Sequence, residues 1–142
     1  MKKFKCYVAG KMSGLSHEEM NGWRVEAHRL FQEKSYIPIH IINPVNFYNF
    51  NMNPDSYAEK EVKDFDLKAV KASDVVLVNL DFPDSIGTAM EVCMAHDVWD
   101  IPVIGFGKGL SHPWMELCVT KRCVSLEEAV SYIIDFYIPI FS

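Results

Sequence analysis

Apolar residues change their spacing several times along the chain, and each change marks an element. Runs of β-branched and apolar residues at residues 5–10 ("KCYVAG"), 36–43 ("YIPIHIIN"), 74–80 ("DVVLVNL") and 101–106 ("IPVIGF") predict strands, and a weak one is expected near 122–124. Between them the period lengthens to that of a helix. Residues 17–34 place Met20, Trp23, Ala27, Leu30 and Phe31 on one stripe, and further helices are expected over 55–72, 87–98 and 125–137. Pro38 places the second strand near a sheet edge, because proline cannot donate to a ladder. Residues 46–54 form an aromatic, Asn-rich stretch without periodicity, and 107–114 ("GKGLSHPW") read as a loop.

Strand and helix in alternation predict an α/β three-layer sandwich, Rossmann-like, around a parallel sheet of about five strands. Ligands on such sheets lie beyond the carboxyl ends of the strands, where the winding direction reverses. Chemistry is therefore expected in "GKMSG", "NPVNFYNF", "DFPDSIG" and "GKGLSHPW", the segments that follow strands one to four.

Two carboxylates stand out by position. Ala58, Val62, Phe65 and Ala69 mark the predicted core stripe of the second helix, and Asp66 falls about 40° from Val62, inside that stripe. Glu91 is the one charge in the first two turns of an otherwise apolar third helix. A buried acid without a partner is costly, so each should be hydrogen-bonded, protonated or turned to a cleft. Taken singly, Asp66 also fits a buried loop cap or ion-pair partner, and Glu91 an acid facing the helix dipole. Taken together at one end of one sheet, they fit the cleavage of a glycosidic bond. One acid attacks the anomeric carbon and the other manages the leaving group's proton. Their environments are expected to differ, with Glu91 kept ionised near a helix N-terminus and Asp66 protonated when needed.

Composition narrows the partners. The chain has 142 residues, 49% hydrophobic, which suits a single domain over 1–142 with its own core. Its formal charge of −5, with Lys and Arg scattered, disfavours a nucleic-acid polymer but not a single nucleotide. No run approaches the roughly 18 apolar residues of a membrane helix, and the basic opening has too short an apolar stretch for a signal peptide. Cys6, Cys93, Cys118 and Cys123 form no C-x-x-C pair and read as free thiols in a reducing compartment, the cytoplasm, with no zinc site. Cys93 is expected to face the core. The five histidines show no ligand spacing, so no metal is expected, nor any organic cofactor: the Walker and G-x-G-x-x-G patterns are missing. Phe47, Tyr48 and Trp114 fit either stacking on a nucleobase or ordinary packing. The apolar tail "YIIDFYIPIFS" fits a buried dimer contact.

The stretch "DFDLKAVKASDVVLVNLDFPDSIGTAMEVCMA" resembles the core of the nucleoside 2-deoxyribosyltransferase superfamily, which includes a 2′-deoxynucleoside 5′-monophosphate N-hydrolase branch. The shared pattern is an Asp one helix before an apolar strand, a loop, then Gly-x-x-x-Glu followed by small residues. "YVAGKMSG" is similar to the family's first-strand loop and "IINP" to the end of its second strand. The resemblance implies a flavodoxin-like fold and transfer at the N-glycosidic bond of 2′-deoxyribonucleosides through a deoxyribosyl ester. By it Glu91 is the nucleophile, Asp66 the acid/base beside the nucleobase, and Tyr7 a hydroxyl that orients Glu91. It also implies a homo-oligomer whose neighbouring subunits complete each pocket.

Substrate contacts are expected from Gly10, Lys11, Met12 and Ser13, from Asn43, from Asp84, Ser85 and Gly87, and from His112 as a base or phosphate contact. Family transferases acting on free nucleosides often carry Asp six residues before the nucleophile, where this chain has Ser85; the hydrolase branch has Ser there. Ser85 and the amides of Ile86 and Gly87 suit an anion at a helix N-terminus, with Lys11 and Ser13 adding a charge and a donor. Asp84, one residue earlier, fits the transferase. Three readings thus stand: the transferase, the monophosphate hydrolase with the same nucleophile, and a nucleotide-binding module that has lost turnover.

Overall fold

The computed structural model describes residues 3–48, 57–109 and 112–141. Five strands, β1 (Phe4–Ala9), β2 (Ile39–Ile42), β3 (Val75–Asn79), β4 (Val103–Phe106) and β5 (Lys121–Cys123), form one parallel sheet in the order β2-β1-β3-β4-β5. The order reverses between β1 and β3, the point at which sheets of this kind hold their ligands. β2 is an edge strand, as Pro38 predicts. The helices are α1 (His17–Lys34), α2 (Glu59–Lys71), α3 (Ile86–Cys93), α4 (Pro113–Leu117), α5 (Leu126–Tyr132) and α6 (Ile138–Phe141). Helix α3 runs on through a π-helical turn at Met94–Val98, and α5 through another at Ile133–Tyr137.

Two cores follow from the two-residue period of the strands. On one face, Phe4, Cys6 and Val8 of β1 pack with Ala27, Leu30 and Phe31 of α1 and Ala129 and Val130 of α5. On the other, Tyr7 and Ala9 pack with Val70 of α2, Val92 and Ala95 of the α3 segment, and Met115 of α4. All five residues of β3 are buried, as expected of a central parallel strand covered on both faces. Each fully buried Val, Leu or Ile contributes about 1.5–3 kcal/mol.

Local chemistry sets the ends. Ser16 caps α1 in a reciprocal box with Glu19. Ser125 accepts from the Glu128 amide to start α5. Gly107 has φ of 119°, and a Cβ there would stand 2.7 Å from the Asp81 amide nitrogen, so the turn after β4 requires glycine.

The structure departs from the sequence expectations in four places. Helix α2 begins at Glu59; the part of the expected helix before Tyr57 lies outside the described residues, as do residues 49–54 of the aromatic stretch and Leu110 and Ser111 of the expected loop. Its apolar stripe does not all reach the core, since Ala58 is exposed and Phe65 is 53% exposed, leaving Val70 its one fully buried residue. Helix α4 forms inside "GKGLSHPW" and beyond, begun by Pro113 at its first position. The tail turns most of its apolar surface inward: Ile133, Ile134 and Ile138 are buried and Phe141 packs edge-on against Phe4 at 5.1 Å, while Phe136 and Ile140 stay exposed. No helix among the described residues is long and apolar enough to cross a membrane.

Candidate active site

Strand alternation turns Tyr7 toward the layer of α2 and α3, the two helices that carry Asp66 and Glu91. Tyr7 is fully buried and its hydroxyl donates a short hydrogen bond to Glu91 Oε2. Asp66, half-buried, accepts from the Tyr48 hydroxyl at Oδ1, 2.6 Å away. That hydroxyl also lies 3.3 Å from the Val62 carbonyl oxygen. Tyr48 belongs to an aromatic group with Phe47 and Phe65, whose rings meet edge-on at centroid distances of 5.2–6.2 Å. Phe65 is therefore used for this group beside Asp66 rather than for the core.

Arg24 is 1% exposed, and its charge acts on both carboxyl groups. Its Nε donates to the Val8 carbonyl at 3.2 Å and its Nη2 to the Gly10 carbonyl at 3.1 Å, while Nη1 donates to the carbonyl of Met20. Its guanidinium also sits 4.6 Å from the centre of the Trp23 ring. The sequence carried a signal for it: position 24 is four after Met20 and three before Ala27, on the buried stripe, where a charge needs a reason. Gly10 is fixed by the same corner, since a Cβ there would stand 2.9 Å from the Trp23 ring.

These groups set each other's acidity. Burial pushes the Glu91 carboxyl up to about 7; the charge of Asp66 adds to this, while the Tyr7 hydrogen bond and Arg24 oppose it. Burial also raises Asp66, against the Tyr48 hydrogen bond and Arg24. The phenol of Tyr7 is raised by burial and by both carboxylates, so it remains a donor. Arg24 is lowered to about 10 by burial and stays a cation at neutral pH. The expectation that a helix N-terminus would keep Glu91 ionised meets an opposing effect, burial. Glu91 is the sixth residue of α3, beyond the first turn where the dipole acts, and desolvation wins.

The remaining expected residues divide by place. Lys11 pairs with Asp84 at 3.1 Å, bridging the loops after β1 and β3. Ser85 caps α3, accepting from the Thr88 amide at 3.2 Å and from the Thr88 hydroxyl at 3.0 Å. Gly87 lies exposed in the first turn of α3, with open space where a Cβ would be. The Met12 carbonyl closes a turn by accepting from the Leu15 amide, and Ser13 is exposed. Asn43 is spent on structure: its side chain donates to Asn21 at 2.9 Å and accepts from the Val45 amide at 3.0 Å. His112 is the cap of α4, its Nδ1 accepting from the Trp114 amide at 3.1 Å. Tyr7, Asp66 and Glu91 are thus drawn together, Lys11, Asp84 and Ser85 line the same end of the sheet, and Asn43 and His112 serve as local caps.

Sequence reasoning missed Arg24 and gave Tyr48 only a stacking or packing role. It also placed Cys93 in the core, whereas Val92 and Ala95 take that face and Cys93 is exposed on the flank toward α4.

Comparison with solved structures gives the fold a wider setting. The chain is similar to a conserved protein from Enterococcus faecalis V583, with a TM-score of 0.73 and 18% identity over 93% of this chain and 98% of that one. It is also similar to a 2-deoxyribosyltransferase from the psychrotolerant bacterium Bacillus psychrosaccharolyticus, with a TM-score of 0.69 and 16% identity over 94% of each chain. A 2-desoxiribosyltransferase from Leishmania mexicana matches with a TM-score of 0.64 and 12% identity, over 94% of this chain and 99% of its own. No protein-family model and no curated protein matches by sequence. The likeness is one of fold, and that fold is the flavodoxin-like sandwich of the 2-deoxyribosyltransferases, as the sequence resemblance implied.

Proposed function

We propose that the chain is an enzyme that cleaves and transfers at the N-glycosidic bond of 2′-deoxyribonucleosides, with Glu91 as nucleophile. The observation that carries this reading is the Tyr7–Glu91 hydrogen bond, set beside Asp66 at the reversal point of a sheet shared with 2-deoxyribosyltransferases. A carboxyl group is costly to bury, and using it to bond carbon accounts for its place.

In the proposed reaction the ionised Glu91 attacks C1′ as the bond from C1′ to the base nitrogen breaks. Asp66, entering the reaction in its protonated form, gives that proton to the departing base. The result is a deoxyribosyl ester on Glu91 and a free base. An acceptor then attacks C1′, the ester opens, and Asp66 takes the acceptor's proton. Tyr7 holds one carboxylate oxygen, which leaves the other for the sugar. Tyr48 orients Asp66, and Phe47 and Phe65 offer aromatic faces for a base.

A second reading rests on Lys11 and Ser85: with a 5′-monophosphate as substrate and water as acceptor, the chain would be a hydrolase. Lys11 would leave Asp84 for the phosphate, and the exposed start of α3 would face it. A nucleotide-binding module without turnover is the third reading, and the Tyr7–Glu91 bond counts against it because binding alone needs no oriented nucleophile.

We further infer that the chain acts as one domain, without a nucleic-acid polymer as partner, and as a homo-oligomer. Ile86, Met90, Trp114 and Leu117 expose apolar surface along α3 and α4, with Trp114 77% and Leu117 75% exposed, and a second copy would cover it beside the site. The four free thiols fit the cytoplasm.

Mass spectrometry of protein trapped with a 2-fluoro-deoxynucleoside tests the central claim. A sugar adduct on Glu91 is expected; turnover without any adduct, unchanged in Glu91→Ala, rejects it.

A further inference from the structure

Away from the carboxyl pair, three donors meet that the chemistry above leaves unused. Cys93 and Asp97 stand four residues apart at the junction of α3 and its π-helical turn, a spacing that puts two side chains on one helix face. Cys118 arrives from the end of α4. Asp97 Oδ2 lies 3.9 Å from Cys93 Sγ and 3.8 Å from Cys118 Sγ, and the three donor atoms are all within 4.8 Å of one another.

We propose that Cys93, Asp97 and Cys118 form a binding site for a thiophilic divalent cation of the zinc class, on the wall of the groove between α3 and α4. With metal–sulfur bonds of about 2.3 Å and metal–oxygen bonds of about 2.0–2.2 Å, tetrahedral donors lie about 3.5–3.8 Å apart. The cluster is within a few tenths of an ångström of that spacing for its two sulfur–oxygen pairs. Two sulfurs and one oxygen select a borderline-soft ion over magnesium or calcium. Three protein donors leave a fourth position for water or an external ligand.

The surroundings fit the same purpose. His96 Nδ1 lies 2.7 Å from Asp97 Oδ1, the oxygen not shared with the thiols, and so fixes the carboxylate from behind. The groove, of about 570 Å³, is lined mainly by apolar groups, among them the thioethers of Met90, Met94 and Met115. Cys118 is 7% exposed, whereas Cys93 and Asp97 are open to solvent in the single chain, so an ion can enter before a second copy covers the groove. Binding would replace the thiol protons with metal–sulfur bonds and release them to solvent. No sequence motif marks the site, because Cys93 and Cys118 lie in separate helical segments and meet only through packing.

The test is calorimetric titration of the full chain, kept reduced with a phosphine, with Zn²⁺ and with Mg²⁺ as control. One zinc per chain with proton release is expected, no comparable magnesium binding, and a thiolate-to-metal absorption band with Co²⁺. Cys93→Ser and Asp97→Asn, both at exposed positions, should each weaken zinc by roughly tenfold or more without lowering the melting temperature of the metal-free protein. No one-to-one zinc binding, an affinity unchanged in either variant, or cobalt binding without the thiolate band overturns the site. None of these readouts depends on turnover, so the site stands or falls separately from the proposed reaction.

Discussion

The phenol of Tyr7 donates its hydrogen bond to Glu91, joining the first strand to the third helix across 84 positions of sequence. It opposes burial, which pushes Glu91 up to about 7. Removing it in Tyr7→Phe should raise the pKa of Glu91 further, moving the rising limb of kcat/KM against pH to the alkaline side. Loss of a bond to a charged group is worth about 1.5–3 kcal/mol, so the rate at neutral pH should fall roughly 10- to 100-fold. A rate loss with an unmoved pH profile would mean that Tyr7 only supports the fold.

As the proposed nucleophile, Glu91 would set function against stability. Burial pushes its pKa from an ordinary 4.5 up to about 7, so the folded state holds the proton more tightly than the unfolded chain does. Stability should fall as pH rises from 4.5 to 7, with the full penalty of up to about 3 kcal/mol present above 7. Glu91→Gln should lower base release by about 10³-fold or more and raise the melting temperature at pH 8 but not at pH 4. Denaturation of both proteins at the two pH values checks this.

Asp66 has a separable role. Asp66→Asn should slow release of bases that need a proton, by roughly 10²- to 10⁴-fold, and spare substrates with good leaving groups. Tyr48→Phe removes a bond that steadies the carboxylate and should raise Asp66 further. An equal loss with every leaving group would remove Asp66 from proton transfer.

In the proposed reaction the Lys11–Asp84 pair would separate nucleoside from nucleotide. For a 5′-monophosphate substrate, Lys11→Ala should raise KM by about tenfold, and Asp84→Asn should lower it by freeing the lysine. For a free nucleoside, neither change should move KM by more than about twofold. Product analysis with each substrate, with and without a second base, decides between transfer and hydrolysis.

Trp114 and Leu117 place large apolar side chains in solvent on a five-residue helix. Trp114→Glu combined with Leu117→Glu should dissociate the oligomer to single chains by light scattering. A parent that is already a single chain at working concentration refutes the assembly.

Much of the fold was legible because it rests on period alone. Helix α1 spans the predicted 17–34, since Ser16, Glu19 and the apolar stripe agree. The strand cores were marked by their β-branched runs. The helical ends were less legible: α3 and α5 pass into π-helical turns, a widening without a sequence signal. Asp66 and Glu91 could be found because a charge interrupts an apolar pattern. Arg24 interrupts one in the same way and was overlooked among the apolar residues around it. Phe65 misled because an aromatic residue on an amphipathic stripe reads as core, whereas here it meets Phe47 and Tyr48. The meeting of Cys93 with Cys118 depends on how two helices pack, which no local pattern encodes.

Arg24 ties the carbonyls of Val8, Gly10 and Met20 into one corner while its charge reaches both carboxyl groups. Anyone retuning this protein toward a different working pH will therefore find its most direct lever welded to the scaffold.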